Sequence, residues 1–186
     1  LIEIIKVVIL GIIQGITEWL PISSTGHMLL ANTFLNLKQD KAFMDMFVVV
    51  IQLGSILAVV ALYFNKLNPF SRAKSRAERF ATFQLWFKVL VAVLPVGVIG
   101  LLVDDWVTDH FYTPTVIAIA LIFYGVLFIL LERRNRTVRP RIRSFEQLSY
   151  RTAFCIGMVQ LLAIIPGTSR SGSTILGAML FSCSRF

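Results

Sequence analysis

The chain alternates between long apolar segments and shorter polar ones. Apolar residues dominate the segments 43–64, 87–103 and 115–131. A helix needs roughly 20 apolar residues, with a lower limit of about 17, to cross the hydrocarbon core of a bilayer. Each of the three segments reaches that length, so the pattern predicts three membrane-crossing helices in an all-α, polytopic fold.

The polar segments between these helices differ in charge. Residues 65–84 and 132–150 are rich in Lys and Arg, whereas residues 104–113 carry three Asp. Loops with an excess of basic residues stay on the cytoplasmic side of the membrane. We therefore expect two basic cytoplasmic loops and one short acidic loop outside. The Arg-rich stretch 133–143 is expected to attract anionic lipid headgroups.

Composition supports an integral membrane protein. The chain is 56% hydrophobic and 15% charged, and its mean hydropathy is +0.77. A soluble domain carries about a quarter of its residues as charged side chains. The net charge of +8 would favour nucleic-acid binding in a soluble protein. Because the basic residues are concentrated in two loops, we read them as determinants of orientation and exclude a nucleic-acid partner.

A polar sequence interrupts the first apolar stretch. Residues 1–20 predict a helix with small and polar residues on one face, namely Gly11, Gln14, Gly15 and Glu18. Its other side carries Val8, Ile12, Ile16 and Trp19. Pro21 ends the helix because its ring lacks an N–H group. The next apolar run, 27–35, is too short to cross a membrane. We expect a re-entrant helix–turn–helix hairpin, with its polar turn at residues 23–26.

A second polar sequence, residues 160–174, repeats the first at an offset of 146 residues. The offset superimposes Gln14 on Gln160, Ser23 on Ser169, Thr25 on Ser171 and Gly26 on Gly172. The second hairpin would start in the cytoplasm and the first outside, which makes an inverted-topology repeat. We therefore expect a first membrane repeat at 1–131, a basic cytoplasmic loop at 132–150, and a truncated second repeat at 151–186.

Each polar turn lies just before a predicted helix. A helix N-terminus presents unpaired N–H groups and a partial positive charge, which favour anions. Hydroxyl groups add donors, and glycines allow the backbone to approach a ligand closely. Two facing turns of this kind would bind two phosphoryl groups. The expected phosphate-binding residues are Ser23, Thr25, Gly26, Gly167, Ser169, Ser171, Gly172 and Thr174.

Five further side chains suggest phosphoryl transfer. Glu18 and Gln14 lie one helical turn apart and could bind a hard cation such as Mg²⁺, which shares its coordination with substrate phosphates. Ser24 is the candidate nucleophile, and His27 is a candidate proton donor and acceptor or a hydrogen-bond partner of that hydroxyl. Arg170 suits bidentate recognition of phosphate.

These motifs resemble the undecaprenyl-diphosphate phosphatases, also called bacitracin-resistance proteins. The resemblance rests on Gln14-x-x-x-Glu18, on the run from Pro21 to His27, and on Pro166-Gly167-x-Ser169-Arg170-Ser171 downstream. It implies hydrolysis of undecaprenyl diphosphate to undecaprenyl phosphate and inorganic phosphate, which recycles the lipid carrier for cell-wall synthesis and confers bacitracin resistance. It also implies a divalent cation, Mg²⁺ or Ca²⁺, and an active site on the outer side of the bacterial plasma membrane.

A transporter or flippase for a polyprenyl phosphate or another anion is the alternative, because inverted repeats with broken helices are common in transporters. The acid Glu18 and His27 argue for the phosphatase, since an acid beside a transported phosphate would repel it without a metal. The sequence leaves open the oligomeric state, a homodimer included, and whether Ser24 attacks directly or positions a water. For Gln52 and Ser55 we favour hydrogen bonding between helices over a functional role.

Overall fold

The computed structural model describes residues 1–184, so the last two residues of the predicted unit 151–186 lie outside the described part. In the described chain the secondary structure is helical, as predicted, apart from one isolated β-bridge. The helices are α1 Ile2–Glu18, α2 Ser24–Leu35, α3 Lys41–Leu62, α4 Phe64–Leu67, α5 Arg76–Phe111, α6 Pro114–Thr137, α7 Tyr150–Gln160 and α8 Arg170–Leu180, with a 3₁₀ helix at Leu161–Ile164.

The three predicted membrane crossings correspond to α3, α5 and α6. These three helices are long and apolar enough to cross a bilayer. Many of their apolar side chains, such as Val49, Leu57 and Phe123, are more than half exposed. Contiguous exposed apolar surface of this kind is rare on a soluble monomer, and here it fits contact with lipid. The fold is that of a membrane protein.

Helix α5 corrects the two loop boundaries that flank it. The segments 65–84 and 104–113 were predicted as loops, but α5 runs from Arg76 to Phe111 without interruption. A capping box starts it, in which the Ser75 and Glu78 side chains each bind the other's backbone N–H. Loss of hydrophobicity marks the edge of the membrane, and a helix can continue past that edge into water.

The same reasoning corrects the start of the second basic loop. Helix α6 continues to Thr137, so residues 132–137 of the predicted loop 132–150 are helical. The remaining irregular segment is tied to the bundle. Lys88 of α5, which is 6% exposed, donates to the carbonyl oxygen of Phe145 at 2.7 Å. An isolated parallel bridge joins Ile142 to Cys183 after α8.

Two helical hairpins pack against α6. Helices α1 and α2 form the first hairpin, which also contacts α3 through α1 and α6 through α2. Helices α7 and α8 form the second, which contacts α5 through α7 and α6 through α8. Val8, Ile12 and Ile16 of α1 and Trp19 just after it are all at least half exposed, and Gln14 is buried, which confirms the two predicted faces of that helix.

Candidate active site

The two polar turns each end in a serine that caps the following helix, and residues 24–26 of the predicted turn 23–26 already belong to α2. The Ser23 hydroxyl accepts from the backbone N–H of Gly26, and the Ser169 hydroxyl accepts from that of Gly172 at 3.1 Å. These two pairs are the ones that the offset of 146 residues superimposes. The caps differ in backbone conformation, because Ser23 has a left-handed φ of 66°. Such strain in a residue other than glycine is concentrated at functional sites.

The tips of the two turns touch. A Cβ added to Gly26 would lie 3.3 Å from the Cα of Gly167, and one added to Gly172 would lie 2.9 Å from the carbonyl oxygen of Pro21. Gly167 also has a φ of +94°, a backbone conformation that residues with a Cβ atom rarely adopt. Glycine is therefore required where the turns meet, and this close contact brings their polar groups to one place.

Both turns line a single cavity of about 450 Å³. The predicted site residues that line it are Glu18, Ser23, Ser24, Thr25, Gly167, Ser169, Arg170, Ser171 and Thr174. The four predicted residues that do not line it are Gln14, Gly26, His27 and Gly172. The predicted meeting of the two turns around one ligand-sized space is thus found, and the predicted residues that line it include an acid, an arginine and six residues with hydroxyl groups.

Glu18 and Ser24 form the centre of the first wall. The Ser24 hydroxyl donates to Oε2 of Glu18, and the Gln14 amide donates to the same oxygen at 3.1 Å. Gln14 is 2% exposed, and its Oε1 accepts from the Ser55 hydroxyl at 3.0 Å. Gln14 therefore orients the Glu18 carboxylate, and that carboxylate is placed to accept the proton of Ser24.

Arg170 supplies the positive charge of the second wall. It is the first residue of α8 and is exposed, and its guanidinium has no hydrogen-bond or ion-pair partner in residues 1–184. Ser169 and Ser171 lie beside it, with their hydroxyl oxygens 3.1 Å apart. A free guanidinium at a helix N-terminus is suited to an anionic ligand, since both the side chain and the helix end attract negative charge.

His27 lies on a neighbouring, largely apolar cavity of about 430 Å³ instead. Its Nδ1 is 2.9 Å from the carbonyl oxygen of Ser23, which also accepts from the His27 backbone N–H. The ring therefore stabilises the strained turn at Ser23. Tyr124 and Phe128 of α6 line the same cavity.

Sequence reasoning missed several residues that line or support the site. Thr17, Gln52, Gln160 and Thr168 also line the cavity. The Gln52 amide donates to the Thr25 hydroxyl at 2.8 Å, so this residue joins helices, as expected, and also fixes a site hydroxyl. Gln160 could have been found, because the repeat superimposes it on Gln14. Tyr124, whose hydroxyl donates to that of Ser173 at 3.2 Å, gave no signal within its apolar segment.

The donor set fits a divalent cation that shares its coordination with a substrate. Glu18 Oε1 accepts no hydrogen bond within the described chain, so it remains available as a ligand. Gln14 Oε1 is already bonded to Ser55. Residues 1–184 contain no cluster of three His, Cys, Asp or Glu residues suited to holding a metal alone. Mg²⁺ typically uses one or two carboxylates together with phosphate oxygens and water.

Comparison with known proteins identifies the family. The family model described as "Bacitracin resistance protein BacA" matches residues 7–186. A protein of Limosilactobacillus fermentum named undecaprenyl-diphosphatase is 56% identical over 186 residues, covering 100% of this chain and 67% of its own length. Undecaprenyl-diphosphatase 1 of Clostridioides difficile is 55% identical over 186 residues, with the same coverage. An undecaprenyl-diphosphatase of Streptococcus thermophilus is 55% identical over 185 residues, covering 100% of this chain and 64% of its own.

The chain therefore spans about two thirds of the length of these curated relatives. The family match covers both polar turns and every helix between them. With this match and these identities, the chain belongs to the BacA family of bacitracin resistance proteins.

Proposed function

We propose that this chain carries the active site of an undecaprenyl-diphosphate phosphatase. The reaction converts undecaprenyl diphosphate and water to undecaprenyl phosphate and inorganic phosphate, which returns the lipid carrier to cell-wall synthesis and gives resistance to bacitracin. The single observation that carries the proposal is the cavity where Glu18, Ser24 and Arg170 meet. The names of the relatives support the same reaction.

The proposed chemistry starts from the hydrogen bond between Ser24 and Glu18. The Ser24 oxygen attacks the terminal phosphorus, and its proton passes to the Glu18 carboxylate. The bond between that phosphorus and the bridging oxygen breaks, the bridging oxygen takes the proton from Glu18, and the lipid monophosphate leaves. A water then hydrolyses the phosphoserine, with Glu18 as the base, and restores the serine. Arg170 and the N–H groups of both helix ends stabilise the charge on the transferred group.

A divalent cation, Mg²⁺ or Ca²⁺, would be held by Glu18 and by phosphate oxygens of the substrate. When bound, it supplies positive charge that offsets the repulsion between the acid and the phosphates. Gln14, named as a second ligand from the sequence, is better placed to orient Glu18, because its oxygen already accepts from Ser55.

For the fold we propose an inverted-topology repeat with two re-entrant hairpins, α1–α2 and α7–α8. The short lengths of α2, α7 and α8 and the similar caps at Ser23 and Ser169 support this arrangement. The units are 1–131, 132–150 and 151–186, with the basic segment in the cytoplasm. We further propose a multi-pass protein of the bacterial plasma membrane with the site facing outward. Its partners are then membrane lipids, and a homodimer is the oligomer that we propose for the full-length protein.

Phosphate release tests the proposed function. Purified full-length protein should release inorganic phosphate from a C55 polyprenyl diphosphate only with added Mg²⁺ or Ca²⁺. Glu18→Ala and Arg170→Ala should each lower the rate by about 10²-fold or more, since each removes charge stabilisation or activation. Arg139→Ala, a change at an exposed residue outside the cavity, is the matched control. Wild-type turnover in the Glu18 or Arg170 variant would contradict the assignment.

Acid quenching tests the serine step. With a substrate labelled at its terminal phosphate, we expect transient label on Ser24 and none in Ser24→Ala. A fully active enzyme that never carries label would instead assign attack to a water positioned by Ser24.

The transporter alternative predicts a different result. A flippase would move a labelled polyprenyl phosphate across vesicles without releasing phosphate from the diphosphate. The Glu18–Ser24 hydrogen bond favours hydrolysis, because transport alone has no need of an activated hydroxyl.

A further inference from the structure

Gln160 ends α7 and lies almost completely inside the protein. It is 5% exposed and lines the cavity between the two turns. No residue within 1–184 forms a hydrogen bond with its side-chain amide. In the described chain, Arg79 Nε is the only side-chain nitrogen or oxygen that is both fully enclosed and without a partner. Because the Gln160 amide also lacks a partner, its nitrogen and oxygen must each keep some accessible surface. The amide therefore reaches open space, and the open space beside it is the cavity.

The equivalent residue of the first hairpin behaves differently. Gln14 is superimposed on Gln160 by the repeat, and it is equally buried. Its nitrogen donates to Glu18 and its oxygen accepts from Ser55, so it has little capacity left for a ligand. Within residues 1–184, the Gln160 amide has no such hydrogen-bond partners. Of the two superimposed glutamines, Gln14 orients the Glu18 carboxylate, whereas the Gln160 amide forms no hydrogen bond within residues 1–184.

An amide that is almost buried keeps only limited access to water, so leaving it without a protein partner costs stability. Its retention is explained when a ligand completes its hydrogen bonds. The cavity also holds the Arg170 guanidinium and the hydroxyl groups of Ser169 and Ser171. All of these groups can donate to an anion, and the amide nitrogen offers two more donors.

We propose that the Gln160 amide donates a hydrogen bond to a phosphoryl oxygen of the bound substrate and product, beside Arg170. This inference rests on the phosphatase function proposed above and adds a binding residue to it. The second hairpin would then contact phosphate through an arginine, its hydroxyl groups and a neutral amide, while the first supplies the acid and the nucleophile.

Product inhibition of the full-length enzyme tests the proposal. Inorganic phosphate and a short-chain polyprenyl monophosphate serve as the two probes, each as a competitor of the diphosphate substrate. In Gln160→Leu we expect the inhibition constant of at least one probe, and the KM, to rise about tenfold, as for loss of a hydrogen bond to a charged group. A change confined to inorganic phosphate places the amide at the terminal phosphoryl group, and one confined to the lipid places it at the proximal group.

Two further variants keep the test decisive. Gln84→Leu makes the same chemical change on α5 away from the cavity, and it should leave both inhibition constants unchanged. Gln160→Glu keeps the shape of the side chain and should weaken phosphate binding further, because a carboxylate repels the anion. If the Gln160→Leu protein does not fold, Gln160→Glu is measured in its place.

The outcomes distinguish a failure of the proposed Gln160–phosphate contact from a failure of the proposed phosphatase function. Wild-type inhibition constants for both probes in folded Gln160→Leu or Gln160→Glu would overturn the inference and leave the phosphatase intact. A wild-type protein that releases no phosphate from the diphosphate would instead overturn the proposed function.

Discussion

At the scale of single residues, the hydrogen bonds of a side chain decide its role. Gln14 and Gln160 are the same residue at positions that the offset of 146 residues superimposes. Both amide atoms of Gln14 are hydrogen-bonded, whereas those of Gln160 have no partner within residues 1–184. His27 makes the same point. Its Nδ1 is bonded to the Ser23 carbonyl, and its ring lines the apolar cavity beside the site. We infer that His27 positions the turn and that Glu18 accepts the proton.

Two substitutions of His27 separate positioning from proton transfer. In His27→Asn the amide nitrogen can replace Nδ1 as donor to the Ser23 carbonyl, so phosphate release should stay within about threefold of wild type. His27→Leu lacks that donor and should lose about tenfold or more. The measurement is the rate of phosphate release from the C55 diphosphate with divalent metal present.

His110 provides the matched control for these variants. Its Nδ1 lies 2.8 Å from the Trp106 carbonyl on the exposed end of α5, so His110→Asn and His110→Leu should both be fully active. Equal, large losses in His27→Asn and His27→Leu would instead assign the proton transfer to the imidazole.

At the scale of elements, each site helix depends on a turn that only certain residues can form. The second turn reaches α8 through Gly167, and α8 is then capped by Ser169 and held by Tyr124 of α6. The first turn reaches α2 through Ser23 in a left-handed conformation. Because the two turns pack against each other, a distortion of one displaces the polar groups of both.

Gly167→Ala should therefore reduce stability and activity together. The residue has a φ of +94°, and an added Cβ would lie 2.8 Å from the carbonyl oxygen of Ile117. We expect a loss of about 1–3 kcal/mol, seen as a melting temperature lowered by roughly 2–10 °C in detergent. Gly97→Ala on α5 has nothing within 4 Å of the added Cβ and is the control. An unchanged melting temperature in Gly167→Ala would contradict the strain argument.

At the scale of the whole molecule, α6 organises the site. It packs against α2 of one hairpin and α8 of the other, and Gly167 of the second turn approaches its Ile117 backbone. The apolar exterior of α3, α5 and α6 faces lipid, while the polar cavity lies where the two hairpins meet. A polar site inside an apolar bundle is thereby kept away from the acyl chains, which would otherwise leave its groups unpaired.

Labelling with a membrane-impermeant thiol reagent tests the orientation of the bundle. In a full-length background with Cys155→Ser and Cys183→Ser, Arg139→Cys should be protected in intact cells, because we propose that the basic segment is cytoplasmic. Asp109→Cys, an exposed position near the C-terminal end of α5 that the proposed topology places outside, should be labelled rapidly. Permeabilised cells provide the control that both thiols are accessible. The reverse pattern would invert the proposed topology.

Much of the fold could be predicted because it depends on local pattern. The apolar lengths of α3, α5 and α6, the break near Pro21 and the short helix after it follow from neighbouring residues. Helix ends were predicted less well. Helix α5 extends beyond its apolar core at both ends, and α6 at its C-terminal end, because capping and backbone hydrogen bonds continue where hydrophobicity stops.

The sequence by itself determined an all-helical membrane protein with two similar polar sequences, each before a helix, and it named nine residues of the cavity wall. Those conclusions rest on periodicity, residue chemistry and repetition, which are properties of the linear sequence and do not depend on which helices pack together. Only the tertiary structure decided that the tips of the turns touch, that His27 lies on the neighbouring cavity, and that Gln160 is left unpaired where Gln14 is not. These outcomes depend on which helices become neighbours, because packing between distant segments sets the direction of each side chain and the partners within its reach.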